Sequence, residues 1–279
     1  MANAIQIGRS QLGRARRSGE HALRRASAGE RPLPDFLVIG AQKAGTTSLL
    51  EYLCEHPAVL PPVRKEVHFL DHEFERGPAW YRAHFPRRRP GALTGEATPY
   101  YLFHPLAARR AAAVVPGAKL IVLLRDPVDR AFSHHNHELA LGFESLGFED
   151  AIAAEPHRLA GEEERILADP RYRSFAHQHH SYLARGEYAR QLERWLECFG
   201  RDRLLVLSAE DLFADPRATV LRTQEFLGLE PREPVDVSAR NARSYAPIDP
   251  ALRGWLAARF AAGNERLYEL VGRDFGWAG

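Results

Sequence analysis

Short apolar runs, each closed by turn residues, set the rhythm of this chain. Phe36–Gly40 (FLVIG), Lys119–Leu124 (KLIVLL) and Arg203–Ser208 (RLLVLS) lack the polar alternation of a half-exposed strand. Such runs predict strands buried on both faces, as in a parallel sheet. Gly91–Thr98 (GALTGEAT) predicts a further strand running into a loop, and Ala58–Pro62 a second short strand. Between them the apolar positions recur at helical spacing. Helices are predicted over Thr46–His56, stopped by Pro57, and over Ala79–Phe85, Pro105–Val115, Val128–Leu141, Gly186–Phe199 and Ala218–Leu227. Tyr188, Leu192, Trp195 and Phe199 form one apolar side of the Gly186–Phe199 helix. A last helix starts at Asp249-Pro250, with Leu252, Trp255, Leu256 and Phe260 as its apolar side. Strands alternating with helices predict an α/β fold: a central, mainly parallel sheet with helices on both faces, in three layers.

Composition narrows the classes. The 279 residues allow one large domain or a domain with an appendage. A net charge of +2 gives no global pull toward nucleic acid. The arginine- and alanine-rich usage suggests a GC-rich, bacterial coding sequence. Residues 1–33 carry Arg9, Arg14, Arg16, Arg17, Arg24 and Arg25 without an apolar stretch; they predict a basic, flexible arm ahead of a single domain over 34–279. No apolar run approaches the ~18 residues of a membrane span. Cys54 and Cys198 are not a disulfide framework and are expected to be reduced and partly buried.

The chemistry concentrates in Asp35–Leu50, DFLVIGAQKAGTTSLL. Strand, glycine-flanked turn and helix start follow in that order. Unpaired N–H groups and the helix dipole make such a turn an anion site, a P-loop-type arrangement at the carboxyl end of a strand. The triphosphate loop G-x-x-x-x-G-K-[ST] places lysine after its second glycine. Here Gly40 and Gly45 have that separation, but Thr46 stands in the lysine's place and the lysine is Lys43. A second anion-binding pattern, Arg125 to Ser133 (RDPVDRAFS), follows the strongest strand; an arginine fork at a strand end and a serine on the next helix can face one phosphate.

Together these segments resemble the sulfotransferases that use 3′-phosphoadenosine 5′-phosphosulfate (PAPS), in particular the heparan-sulfate branch and its bacterial relatives, from about Pro34 to Trp277. The resemblance implies that Lys43, Ala44, Gly45, Thr46, Thr47 and Ser48 bind the 5′-phosphosulfate and that Arg125 and Ser133 bind the 3′-phosphate. Lys65-Glu66-Val67-His68-Phe69-Leu70-Asp71 looks like the family's K-E-x-H-F-F-D, which makes Glu66 the general base, His68 its support and Asp71 a neighbouring anchor, with Lys65 beside them. Gly95–Tyr101 is similar to a stretch with E-K-T-P-x-Y-F. Ala97 replaces the lysine there, which weakens the case for a polyanionic acceptor; Glu96, Thr98 and Tyr100 are expected to border the site. Asn241–Tyr245 aligns with a K-G-R-x-H-P loop and keeps Arg243 as a 3′-phosphate candidate.

The implied reaction moves a sulfuryl group from PAPS to the hydroxyl of a saccharide or secondary metabolite, without a required metal and in the cytoplasm. Two other functions compete: a P-loop kinase, which the displaced Lys43 opposes, and a non-catalytic nucleotide-binding protein, which would not need Glu66. His134, His135, His137, His177, His179 and His180 lack metal-ligand spacing and are expected to be solvated or to line the acceptor cleft. The polar region from Gly142 to His180 is expected to form helices or a flap on the acceptor side.

Overall fold

The computed structural model describes residues 24–238 and 247–277. Five parallel strands form one sheet in the order β2-β3-β1-β4-β5: β1 Phe36–Gly40, β2 Val59–Leu60, β3 Leu93–Ala97, β4 Lys119–Leu124 and β5 Leu204–Ser208. The expected strand at Ala58–Pro62 shrinks to two residues at the sheet edge, where only β3 pairs with it. Central β1 is buried along its whole length, which is why it reads as an unbroken apolar run. Asp35 pegs it between its neighbours. Its carboxylate accepts from Thr94 N at 2.9 Å, and its carbonyl accepts from Lys119 N at 2.9 Å.

Helices surround the sheet: α1 Thr46–Cys54, α2 Gly77–Arg82, α3 Ala107–Val114, α4 Pro127–Leu141, α5 Phe148–Leu159, α6 Glu162–Ala168, α7 Phe175–His179, α8 Tyr188–Phe199, α9 Ala209–Ala214, α10 Pro216–Leu227 and α11 Pro250–Val271. Asp126 caps α4, accepting from Val128 N and Asp129 N, with Pro127 in the first turn where no N–H is needed. Asp249 and Pro250 begin α11 in the same way. On α8, Tyr188, Leu192 and Trp195 are buried, and Phe199 packs half-buried beside them.

The apolar side expected for α11 needs a correction at Trp255, which is 56% exposed while Leu256 and Phe260 are buried. Each i+4 step turns ~40° past a full circle and each i+3 step falls ~60° short. The buried stripe Leu252–Leu256–Phe260 therefore drifts away from Trp255. Its residues close a smaller core with Val128 and Ala131 of α4 and Ile152 of α5.

The described part of the basic arm is fastened to the domain. Arg24 donates to the carbonyls of Ala83 and Phe85, and Arg31 also donates to Phe85 O. Cys54 and Cys198 are half-buried and unpaired with one another.

Candidate active site

The sheet's carboxyl ends open into a cavity of about 720 Å³. Its floor is the turn between β1 and α1. Ala41 N donates to Leu123 O at 2.6 Å, so the sheet's hydrogen bonding continues one residue past β1 and fixes where the turn begins. Lys43 then adopts φ 72° and Gly45 φ 91°, both in the left-handed region. At Gly45 a side chain is excluded twice: by that φ, and because a Cβ would meet Leu212 Cδ2 at 2.9 Å. Among the described residues no side chain caps α1, so its first N–H groups face the cavity beside Lys43, Thr46, Thr47 and Ser48, all of which line it. Ala44 does not join them in the lining: its side chain is fully buried and its N–H is given to Ala41 O.

Arg125, at the end of β4, lines the same cavity, with one N–H on Lys43 O at 3.1 Å and its guanidinium 5.9 Å over the Phe213 ring. Ser133 lines it from α4. Arg243 lies outside the described residues.

On the opposite side the loop after β2 brings in Lys65, Glu66 and His68. Lys65 Nζ donates to Thr47 Oγ1 and to Glu66 Oε1, both at 2.7 Å, and so spans the gap between the anion loop and the carboxylate. His68 Nε2 lies 3.4 Å from the other Glu66 oxygen, while its Nδ1 meets Asp71 Oδ2 at 2.7 Å. Burial pushes the Glu66 carboxyl up, but the His68 hydrogen bond and the Lys65 charge outweigh it and bring it down to about 2. Burial lowers the imidazole of His68, yet hydrogen bonds to Asp71 and Glu66 raise it to about 10. The base candidate is thus ionised and paired with an imidazolium. His68 also has a left-handed φ of 57°, a local strain held by the bonds around it.

Two of the three expected border residues, Glu96 and Thr98, sit beneath this loop and not in the cavity wall. Glu96 and Thr98 are fully buried because the end of β3 points them into the interior. Glu96 Oε2 and Thr98 Oγ1 accept from Val67 N at 3.0 and 3.1 Å, which sets the backbone between Glu66 and His68. The hydroxyls of Tyr81 and Tyr101 donate to the other Glu96 oxygen. Burial raises the Glu96 carboxyl, against the pull of these bonds. Asp71 is also buried; it accepts from His72 N as well as meeting His68. Tyr100 does line the cavity, with its hydroxyl 2.7 Å from His177 Nδ1.

Residues 33–244 match the family described as Sulfotransferase domain. The chain belongs to this sulfotransferase family. Mouse heparan sulfate glucosamine 3-O-sulfotransferase 3B1 is 33% identical over 281 residues, covering 90% of this chain and 67% of its own length. Human bifunctional heparan sulfate N-deacetylase/N-sulfotransferase 3 is 36% identical over 278 residues, covering 86% of this chain and 30% of its own. The crystal structure of a sulfotransferase from Alicyclobacillus acidocaldarius superposes with a TM-score of 0.71 at 34% identity, covering 88% of this chain and 98% of its own. The chain thus spans about two thirds of the curated 3-O-sulfotransferase and nearly all of the Alicyclobacillus structure. No helix among the described residues is long and apolar enough to cross a membrane.

The sulfotransferase cavity also holds residues that no sequence pattern marked. Arg185 is buried against it, donating to Gln42 Oε1, Ser181 Oγ and the carbonyls of His177 and Gln178, with its guanidinium 4.8 Å over the Tyr100 ring. It ties the anion loop to α7 through the Gln42 contact, 143 residues away in sequence, and no local spacing could signal that. Glu138 lines the wall at 1% exposure. Burial raises its carboxyl, but hydrogen bonding to His134 and His179 brings it down to about 2.

The histidines divide. His137 and His179 line the cavity. His134, His135 and His177 are buried, contrary to the expectation of solvated or cleft positions; aromatic neighbours take them up, as Phe103 does by stacking on His177 at 4.2 Å. The region after Gly142 forms α5 to α7, and Gln178 and His179 of α7 reach the cavity. A separate trio, His68, Asp71 and His72, brings ligand-type atoms within 4.8 Å of one another, with the short His68–Asp71 bond already inside it.

Proposed function

We propose that this sulfotransferase moves a sulfuryl group from PAPS to an acceptor hydroxyl, with Glu66 as general base. The observation that carries the proposal is the Lys65 bridge: a carboxylate stands one ammonium away from the uncapped start of α1, inside one cavity. The Thr46–Ser48 N–H groups and Lys43 would hold the donor's 5′ end, and Arg125 and Ser133 its 3′-phosphate; Arg243 completes the candidate set from outside the described residues. The uncapped helix start and the side-chain exclusion at Gly45 fit such an anion. The donor supplies an electrophilic sulfur with a phosphate leaving group.

The chain's own residues do the rest. Glu66 takes the acceptor hydroxyl's proton as the new S–O bond forms, because an alcohol is a poor nucleophile while protonated. The old S–O bond breaks toward the phosphate, and Lys43 with the α1 N–H groups meets the charge that collects there. Catalysis by positioning and charge follows the logic of phosphoryl transfer. The His68 hydrogen bond and then the Lys65 charge hold the Glu66 carboxyl low, and an anion in the α1 cradle would compete with Glu66 for the Lys65 ammonium.

Two measurements test this. Calorimetry should show 3′-phosphoadenosine 5′-phosphate (PAP) binding far more tightly than ATP; equal affinities refute the donor assignment and favour a kinase. Labelled sulfate from PAPS should appear on an acceptor hydroxyl, and binding of PAP without any transfer would leave a nucleotide-binding protein.

A further inference from the structure

The two ends of the cavity differ in chemistry. Past Glu66 and His68, its wall is Tyr100, Glu138, Leu141, Gln178 and His179. At the mouth, Leu141, Phe143 and Phe175 are 50%, 42% and 51% exposed. They are contiguous with the cavity: the Phe143 and Phe175 rings lie 5.6 Å apart, and each packs on the His179 ring, at 4.7 and 4.5 Å. Single exposed apolar side chains are ordinary, but a joined set at a cavity mouth marks a binding surface.

The charges point the same way. Of the cations lining the cavity, Lys43 lies in the β1–α1 turn and Arg125 at the end of β4, Lys65 is shared between Thr47 and Glu66, and the His68 imidazolium is bound to Glu66 and Asp71. Arg185 is buried and bound to Gln42, Ser181 and backbone carbonyls. The two carboxylates of the acceptor end are paired as well, Glu66 with Lys65 and His68 and the buried Glu138 with His134 and His179. A polyanion would find these cations already engaged and phenyl rings at the mouth, at a cost in desolvation.

We infer that the acceptor is an uncharged hydroxyl compound with an aromatic or extended apolar body, its hydroxyl at Glu66 and its body on Leu141, Phe143 and Phe175. The inference rests on the sulfuryl-transfer reading of the cavity and adds the class of acceptor. Apolar contact at the rim supplies affinity, and Glu138 with Gln178 offers acceptors to the remaining hydroxyls.

The test is equilibrium binding to the PAP-loaded protein, titrated separately with naphthyl β-glucoside, an unsulfated heparosan oligosaccharide and a heparan sulfate oligosaccharide. Naphthyl glucoside should bind at least about tenfold more tightly than either oligosaccharide, with little change from ~50 to ~500 mM salt. The double variant Phe143→Ser/Phe175→Ser should lose about tenfold of that affinity and keep its affinity for PAP. Heparan sulfate binding as tightly as the glucoside, or glucoside binding that the double variant leaves untouched, would overturn the inference. So would light scattering that shows the rim buried in a dimer which the double variant dissociates. Failure of PAP itself to bind appears before any acceptor is added, and rejects the sulfuryl-transfer reading instead.

Discussion

The two ends of the cavity, proposed above to take donor and acceptor, are built from different materials. The donor end is mostly backbone: a turn fixed by β1 and β4, a positive φ at Lys43 and Gly45, and the first N–H groups of α1. The acceptor end is a relay of side chains. It runs from Lys65 through Glu66, His68 and Asp71, and from His72 Nε2 to Gln178 of α7 at 3.0 Å. A backbone cradle keeps its shape and charge whatever the pH. A side-chain relay sets its own ionisation, so a substitution at one member changes the others.

That contrast can be broken by experiment. The largest effect should come from Glu66→Gln, which lowers transfer by about 10²–10⁴-fold while PAP binding by calorimetry stays unchanged. Normal turnover would remove Glu66 as the base. Lys43→Ala should slow single-turnover transfer by ~10²-fold or more, through loss of charge stabilisation on the leaving group. An unaltered rate would leave the cradle to the backbone alone. Asp71→Asn removes one charge-assisted hydrogen bond, worth ~1.5 kcal/mol or about tenfold in rate. It should also move the His68 titration down from about 10, visible by NMR; an unmoved titration would show that Asp71 does not set it.

The smallest effect is on stability. The folded state holds the His68 proton up to about 10, against an ordinary value of 6.5. Its contribution is complete below 6.5 and declines as pH rises from there through about 10. Melting temperatures of wild type should show that decline and His68→Gln should lack it; equal slopes would refute the linkage. Glu66, held low, contributes in the opposite sense: its share is present above its ordinary 4.5 and is lost as pH falls toward about 2.

Legibility followed the same division. Lys119–Leu124 and Phe36–Gly40 could be read to the residue because a strand buried on both faces has no polar interruption. The α1 turn was legible because glycine, lysine and threonine are adjacent in sequence. Glu96, in β3, and Thr98, just past it, support the Glu66 loop from beneath by holding Val67 N, a packing direction that alternation along the strand does not specify. Arg185, Glu138 and Gln178 carried no signal, since the contacts that tie them to other elements, to Gln42, His179 and His72 respectively, join residues distant in sequence. His134 and His177, expected to be solvated or to line the acceptor cleft, are buried because aromatic neighbours shelter them, which ligand spacing does not reveal.

Gly45 turns this geometry into a rule about variation. Replacing it with alanine meets both a left-handed φ and the Leu212 side chain, and should cost ~1 kcal/mol or more before any ligand is considered. A library that mutates the donor loop would therefore lose folded members first and altered donors second. Leu141, Phe143 and Phe175 are half in water, where substitutions are tolerated. On the proposed assignment the sulfotransferase is a scaffold with its donor loop fixed and its rim open to selection, and diversification for new hydroxyl compounds belongs at that rim.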